Sequence, residues 1–470
     1  MSGPAVRRYV VDGQARGYPV RTEQVRIPMD DGIDLAATLY LPDAPGDGPF
    51  PAVLESIPYR KDDWTLSRDW PLHGAFAAAG YVSCRLDVRG SGSSRGIAED
   101  EYTEREILDN LAVIDWLASR PGASGAVGMF GISWGGFSAL QAAMRRPPAL
   151  KAIIPACFSH DRYHVDVHWW GGTRLIGESV YWPVEMVGEN ALPPDPERFG
   201  PGWREEWLRR LDATPQWPLS SLRHQRRDAH WRHGSAIEDW GSIEAASLAL
   251  GGLNDSYRDS VLAVVANVRA PVRGFLGPWG HAWPHAGAPG PTIDGVGLMT
   301  RWWDRWLKGE QNGVDEGPAL TVFAVARTPS RRSAMSGLRM TRPVPLTLMV
   351  CSPGVLGSAA RSWRGPRPAP PRAARSMPPA RPAASQRARG PRTGRVRVTE
   401  RTPKSKIFTA ASSRCAAPAA SASTGPASTT RGLGRYWRWA GAGRTPVMPG
   451  DSDASHRAPA PSREISNPAS

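Results

Sequence analysis

Ser133 lies at the centre of Gly131-Ile132-Ser133-Trp134-Gly135, after a short apolar run over 126–130 and before a helical pattern over 137–144. A serine placed between strand and helix sits on a sharp, strained turn, and the flanking glycines leave room for neighbouring backbone. The start of the helix and the Trp134 amide then face the place where an oxyanion would form. A serine hydroxyl is a weak nucleophile until a base takes its proton, and that base needs an acid to fix its tautomer. In doubly wound sheets these partners follow in the order Ser, Asp, His, each beyond the C-terminal end of a strand. Asp255 fits the acid position directly after the run 248–252, and His281 fits the base position after the run 272–277. The chemistry would be acyl transfer.

Other residues compete for these roles. Asp259 and Asp239 are alternative acids and His285 an alternative base, but position after a strand favours Asp255 and His281. His160, His164, His168, His224, His230 and His233 fall in a different kind of segment, and a histidine without a partner pattern is usually a surface or satisfied core residue. The spacings His160/His164 and His164/His168 place imidazoles on one helical face, yet no neighbouring ligand motif supports a metal. A second oxyanion donor is expected from the loop after the buried strand 50–56. There Ser56-Ile57-Pro58-Tyr59-Arg60-Lys61 offers the Tyr59 hydroxyl beside the Trp134 amide.

The elements that must position these groups alternate. Strands are expected over 22–28 and 33–42 around Asp30-Asp31-Gly32, over 50–56, and over 81–88, with a small-residue helix reaching Gly80 between the last two. A helix with apolar spacing over 104–119 leads into the strand before Ser133, and strands resume at 247–252 and 272–277 before a helix over 296–308. Such alternation argues for a mostly parallel sheet covered on both faces. From about 155 to 239 the pattern becomes helical and tryptophan-rich (Trp169, Trp170, Trp182, Trp203, Trp207, Trp217, Trp231, with Trp240 just past it). A block inserted between two parts of a sheet commonly sits over its active face, so we expect a lid whose aromatic rings line a pocket.

The chain of 470 residues is not homogeneous: it totals 58 basic and 44 acidic residues, but from Arg327 onward there are 26 basic and 4 acidic. The part before Arg327 is therefore net acidic, and the high isoelectric point belongs to a tail. Four cysteines (Cys84, Cys157, Cys351, Cys415) lack metal-ligand spacing, which argues against a zinc site and a disulfide framework. The first residues carry no apolar signal core, and no run approaches the roughly 18 apolar residues of a membrane span, so the expectation is a cytoplasmic protein. Beyond Ala326 periodicity is lost, and 361–397 is built of Arg, Ala, Pro, Ser and Gly, which bury too little apolar area to offset the entropy of ordering. The abrupt change favours out-of-frame translation of GC-rich DNA over a basic tail or a linker.

Pro58-Tyr59, the segment Asp87-Val88-Arg89-Gly90-Ser91-Gly92-Ser93-Ser94, Gly131 to Gly136, Gly251-Gly252-Leu253-Asn254-Asp255, Gly277-Pro278-Trp279-Gly280-His281 and Trp302 to Gly309 together resemble the CocE/NonD hydrolases, the cocaine esterase and X-Pro dipeptidyl-peptidase-like group. The resemblance covers roughly residues 20 to 326, with the motifs in family order. It implies an α/β-hydrolase doubly wound sheet over 1–154 and 246–326, a helical cap over 155–245, a Ser133/Asp255/His281 triad, an oxyanion hole from Tyr59 and Trp134, no cofactor and no metal. It also implies a C-terminal β jelly-roll, and nothing in 327–470 reads as one; Leu253-Asn254 replaces an aromatic pair before the acid. Partners are then a small ester, amide or short peptide, with no specific nucleic acid and no membrane; homo-oligomerisation stays open. An arginine-rich tail would bind phosphate non-specifically, but the acidic body carries no nucleic-acid-binding motif. A non-catalytic or misfolded product of a disrupted hydrolase gene is the alternative to a working enzyme. Specificity for an α-amino ester would need carboxylates for the substrate ammonium, and Glu178, Glu185, Glu189 and Asp239 are the candidates in the cap.

Without a domain to pack against, core and cap would expose apolar surface and aggregate readily. Limited proteolysis with mass spectrometry should remove 327–470 rapidly while the remainder resists. A protected C-terminal fragment would instead identify the tail as a folded domain.

Overall fold

Apolar runs too short for helices, bounded by Gly, Pro or Asp, become strands of one sheet. The computed structural model describes residues 6–11, 14–325 and 346–351. Its strands are β1 (Val6–Val11), β2 (Gln14–Pro28), β3 (Asp34–Pro42), β4 (Phe50–Ile57), β5 (Val82–Asp87), β6 (Ala123–Ile132), β7 (Leu150–Ala156), a short pair β8 (Trp169–Trp170) and β9 (Thr173–Arg174), β10 (Ala246–Gly252), β11 (Val272–Gly277), β12 (Leu320–Val325) and β13 (Leu346–Cys351). The helices are α1 (Leu66–Asp69), α2 (Ala75–Ala78), α3 (Glu104–Ala118), α4 (Trp134–Met144), α5 (Ile176–Ala191), α6 (Pro196–Phe199), α7 (Trp203–Ala213), α8 (Trp217–Arg223), α9 (Ala229–Arg232), α10 (Arg258–Asn267) and α11 (Gly295–Leu307).

The main sheet runs β1-β2-β3-β5-β4-β6-β7-β10-β11-β12-β13. β1, β2 and β3 pair antiparallel with one another and β3 pairs antiparallel with β5; from β5 onward every pairing is parallel. The winding reverses between β4 and β6, because β5 lies on one side of that pair and β7, β10 and β11 on the other. Such a switch point opens a crevice beyond the C-terminal strand ends, where ligands of open α/β sheets bind.

Strand residues alternate between two cores, as a sheet covered on both faces requires. Leu54, Met129, Ile153 and Ala249 face α3, α4 and α10 through Val113, Leu140 and Val261. Val53, Phe130, Ile154, Leu248 and Leu250 face the other side, where Phe76 of α2 and Trp302 and Trp303 of α11 pack. A Cβ on Gly128 would fall 2.6 Å from the Trp303 ring, so the strand gives up a side chain to seat that indole.

The expected strands and helices of the body are present with small shifts, and some elements were unread. The N-terminal hairpin is longer, with β2 starting at Gln14 and β1 before it. The helix leading to Gly80 is three short pieces, α1 and α2 separated by a π turn at Trp70–Gly74, because Pro71 lacks the amide a continuous α-helix needs. β7, α10 and β12 had no counterpart in the sequence reading. β13 lies beyond Ala326, where periodicity was lost, and extends the sheet beside β12. The segment 361–397 and the rest of the chain after 351 lie outside the described residues.

The segment between β7 and β10 is helical, as expected, with α5 packing on α7 and α8. Its tryptophans mostly serve packing: Trp217 and Trp231 are buried and donate to the Ala98 and His224 carbonyls, while Trp203 and Trp207 stack on each other. Trp182 of α5 is the ring that reaches Tyr59. Among the described residues no helix is long and apolar enough to cross a membrane.

Candidate active site

Parallel register brings the strand ends level. Ile132 of β6 pairs with Ala156 of β7, Ala156 with Leu250 of β10, and Gly252 of β10 with Gly277 of β11. Ser133, Cys157, Asp255 and His281 therefore emerge in turn from adjacent strands, and Tyr59 emerges from β4 on the other side of the switch point.

Ser133 has φ 58° and ψ −120°, left-handed backbone that a side chain rarely adopts. Its amide donates to the Ala156 carbonyl at 2.9 Å. The glycines around it are sterically required: a Cβ at Gly131 would stand 2.5 Å from Gly135 Cα, and one at Gly136 would stand 2.8 Å from the Ala156 carbonyl oxygen.

Trp134 opens α4 and is buried. Its indole Nε1 donates to Glu106 Oε1 at 2.6 Å, to which Ser138 Oγ also donates at 3.3 Å. The ring lies between Tyr102, 4.4 Å away, and Trp217, 6.0 Å away. The side chain thus fixes the residue whose backbone N–H points out of the helix start. Sequence reasoning missed Glu106, whose only local signal was its place three residues after the capping Thr103. Burial pushes its carboxyl up to about 7, against the pull of its two side-chain donors.

Tyr59 is half-buried, with its ring edge-on to Trp64 at 5.4 Å and Trp182 at 6.0 Å. Burial pushes its hydroxyl well above the usual range, opposed in part by the neighbouring Ser133 side chain. The loop carrying it is anchored on both sides: Arg60 donates to the Pro193 carbonyl at 2.8 Å, and the Lys61 amide donates to Asp87 Oδ1 at 2.8 Å.

His281 Nδ1 lies 3.2 and 3.3 Å from the two Asp255 oxygens. Burial alone would raise the Asp255 pKa; hydrogen bonds from His281, the Cys157 thiol and the Tyr257 amide outweigh it and hold the carboxyl below its ordinary value. Asn254, half of the departure noted before the acid, ties the acid loop to the base loop: its side chain donates to the Pro278 carbonyl at 2.7 Å and its amide to that of Trp279 at 3.0 Å. The Tyr257 ring sits 5.7 Å from His281 and 5.4 Å from Phe137 of α4, spanning the gap between His281 and the helix that Ser133 precedes. Among the described residues no hydrogen bond joins Ser133 to His281; such contacts commonly tighten only in a substrate complex.

The competitors are placed elsewhere. His285 stacks on Trp283, Asp259 is half-exposed beside Arg258, and Asp239 is exposed. His160, His164 and His168 turn to three different partners, Ser260, Asp161 and Glu101, and do not converge. Glu178 is exposed on α5, Glu189 faces Arg60, and Glu185 lies close enough for its charge to bear on Tyr59. Asp166, unread in the sequence, is buried next to the Tyr257 hydroxyl with its other oxygen unpartnered, and burial pushes it up to about 6.

A carboxyl raised from 4.5 to about 7 on folding binds its proton more tightly in the native state. Its contribution is present at low pH and is lost as pH rises through that interval. Glu106→Gln keeps an acceptor for Trp134, so relative to wild type it should gain roughly 3 kcal/mol of stability between pH 4.5 and 8. Denaturant melts of both proteins across that range check this; parallel curves would exclude Glu106 as the titrating group.

The family model described as X-Pro dipeptidyl-peptidase (S15 family) matches residues 31–283, from the turn before β3 to just past His281. Cocaine esterase of Rhodococcus sp. (strain MB1 Bresler) is 28% identical over 356 residues, covering 67% of this chain and 59% of that protein. The chain spans about three fifths of the length of cocaine esterase and two putative serine esterases, and 36–49% of three putative Xaa-Pro dipeptidyl-peptidases. Two crystal structures of a CocE/NonD family hydrolase from Staphylococcus aureus share the fold, with TM-scores of 0.53 and 0.55 at 20% identity; they cover 68% and 71% of this chain, and the chain covers 57% and 60% of theirs. With more than half of its length matched by that model, the chain belongs to the X-Pro dipeptidyl-peptidase (S15) family.

Proposed function

We propose that this protein is a serine hydrolase that cleaves carboxylic ester or amide bonds through an acyl-enzyme on Ser133. The observation that carries the reading is the strained Ser133 at the head of α4, level in the sheet with a His281 and Asp255 pair 3.2 Å apart. Ser133 Oγ attacks the substrate carbonyl while His281 Nε2 takes its proton. Asp255 holds the ring through Nδ1–H, keeping Nε2 free to accept, and stabilises the imidazolium. Negative charge developing on the carbonyl oxygen is met by the Trp134 amide and the Tyr59 hydroxyl, whose raised pKa keeps it protonated as a donor. His281 then protonates the leaving group, and water enters by the same route in reverse.

The segments 1–154 and 246–326 form the catalytic core in this reading, and 155–245 forms a cap over the crevice. Contacts of Arg60 with Pro193, Tyr59 with Trp182 and Trp134 with Trp217 support it, since each joins a site loop or helix to the inserted helices. Relatives named for an ester and for Xaa-Pro peptides make acyl esters and Xaa-Pro amides the two substrate classes to compare.

Because nucleophile, base and acid act as a unit, Ser133→Ala, His281→Ala and Asp255→Asn should each lower ester turnover by ~10⁴ or more. Phosphonate labelling should be lost with Ser133. A Ser133→Ala protein that turns over at the wild-type rate would end the assignment.

Tyr59→Phe removes only a hydroxyl. It should leave folding and KM near wild type and lower kcat by roughly 10²-fold, as loss of an oxyanion donor does. An unchanged kcat would take Tyr59 out of the mechanism.

A further inference from the structure

Cys157 Sγ, a carboxylate oxygen of Asp255 and a ring nitrogen of His281 lie within 4.8 Å of one another. The three come from the ends of three strands, β7, β10 and β11. Cys157 is 1% exposed with φ 47°, and its amide donates to the Leu250 carbonyl at 3.0 Å, so the direction of its thiol is set by the sheet. That thiol lies within 4.8 Å of an Asp255 carboxylate oxygen and meets the Ala282 carbonyl at 3.9 Å. Acyl transfer gives it no task. His281 is 31% exposed, which leaves a small ion a way in. A second cluster, Glu55, Asp69 and His73, is different: Arg68 lies 2.8 Å from Glu55 and Arg85 lies 3.2 Å from Asp69, so cations of the protein already occupy it.

We propose that Cys157, Asp255 and His281 form an inhibitory site for a thiophilic divalent cation of the zinc class, which switches the hydrolase off by capturing His281 Nδ1. The inference rests on the reading of His281 as the base for Ser133. Zinc takes sulfur, nitrogen and oxygen ligands at about 2.0–2.3 Å, tetrahedrally, and this trio supplies one of each. The nitrogen and carboxylate oxygen are already 3.2 Å apart, so closing the shell needs mainly a small movement of the thiol.

Binding replaces the Nδ1–H bond to Asp255 with an Nδ1–metal bond. The ring proton relocates to Nε2 through solvent, and the Cys157 thiol gives up its proton to become the sulfur ligand, so one proton leaves per ion where the imidazole starts neutral. An Nε2 that carries a proton donates and cannot take the proton of Ser133. Without the cation, burial and the Asp255 charge keep the thiol protonated.

The test uses the full chain and its Cys157→Ala and Cys157→Ser variants, each compared with its own metal-free rate. Zinc should inhibit wild-type ester turnover at one ion per chain, reversibly with chelator, and both variants should need at least ~10-fold more zinc, as loss of a ligand or its support commonly produces. Cadmium is a second probe, read by its sulfur-to-metal charge-transfer absorption, which needs no turnover. Wild type should show one band increment that Cys157→Ala and His281→Ala both reduce. Equal zinc sensitivity in wild type and both Cys157 variants, no inhibition of wild type, or a cadmium band indifferent to His281 would each overturn the proposal. If the chain hydrolyses no ester while the band behaves as expected, the binding site stands and the hydrolase reading falls. Serine keeps the size of the thiol, so Cys157→Ser carries the test where alanine impairs folding.

Discussion

The backbone at Ser133 governs the rest of the site, because φ 58° at a residue with a side chain persists only where the surroundings overdetermine it. The surroundings here are main chain. Gly131 lets Gly135 approach, Gly136 lets the β7 carbonyl of Ala156 approach, and that carbonyl receives the Ser133 amide. A Cβ at Gly131 or Gly136 would clash with these atoms, so β6, α4 and β7 are packed backbone to backbone here. The position of Cys157, the next residue after that carbonyl, follows directly, and with it the wall against which Asp255 is held.

Around these elements the protein buries several charged side chains, among them Glu55, Asp69, Arg85, Glu106, Asp166 and Asp255, and the surroundings decide what each contributes. Burial pushes a carboxylate toward its neutral form where no cation outweighs it, as the raised values of Glu106 and Asp166 show. Asp255 stays ionised because three donors converge on it. Under the Tyr59 loop, Glu55 of β4 is held well below its ordinary range by Arg68, His73 and Arg85, which outweigh its burial. Ion pairs of this kind add little net stability, but removing one partner leaves an uncompensated charge. The network therefore fixes where the chain runs between β4 and α2, and Tyr59 sits on that stretch.

Ser133, Asp255, His281, Tyr59 and Trp134, the residues proposed as nucleophile, acid, base and oxyanion donors, stand out in the sequence because each follows an apolar run or sits between glycines, and the strand ends that carry Ser133, Asp255 and His281 lie level in the sheet. Other parts were not legible. β7 is interrupted by Pro155 and preceded by Arg145-Arg146-Pro147-Pro148, so its apolar run looked like the edge of a different segment. α10 is rich in valine, which weakens a helical signal that its buried Val261, Val264 and Val265 nevertheless satisfy in packing. Glu106, Asp166 and Cys157 acquire meaning only from contacts across 28, 91 and 125 residues of chain. No local spacing encodes such contacts, which is why the cysteine spacing argues against a metal while the folded chain sets a thiol, a carboxylate and an imidazole side by side.

Trp134 links these levels. Its amide is the proposed oxyanion donor, its indole nitrogen is held by Glu106 of α3, and its ring stacks on Trp217 of α8. Trp217 is in turn tied to the Ala98 carbonyl, in the loop that precedes α3. The inserted helices are thus fastened to the same residue that orients the helix start behind Ser133. A change that loosens α8 would reach the start of α4 through one aromatic contact, so packing of the inserted helices and the geometry of the proposed oxyanion donor are set together.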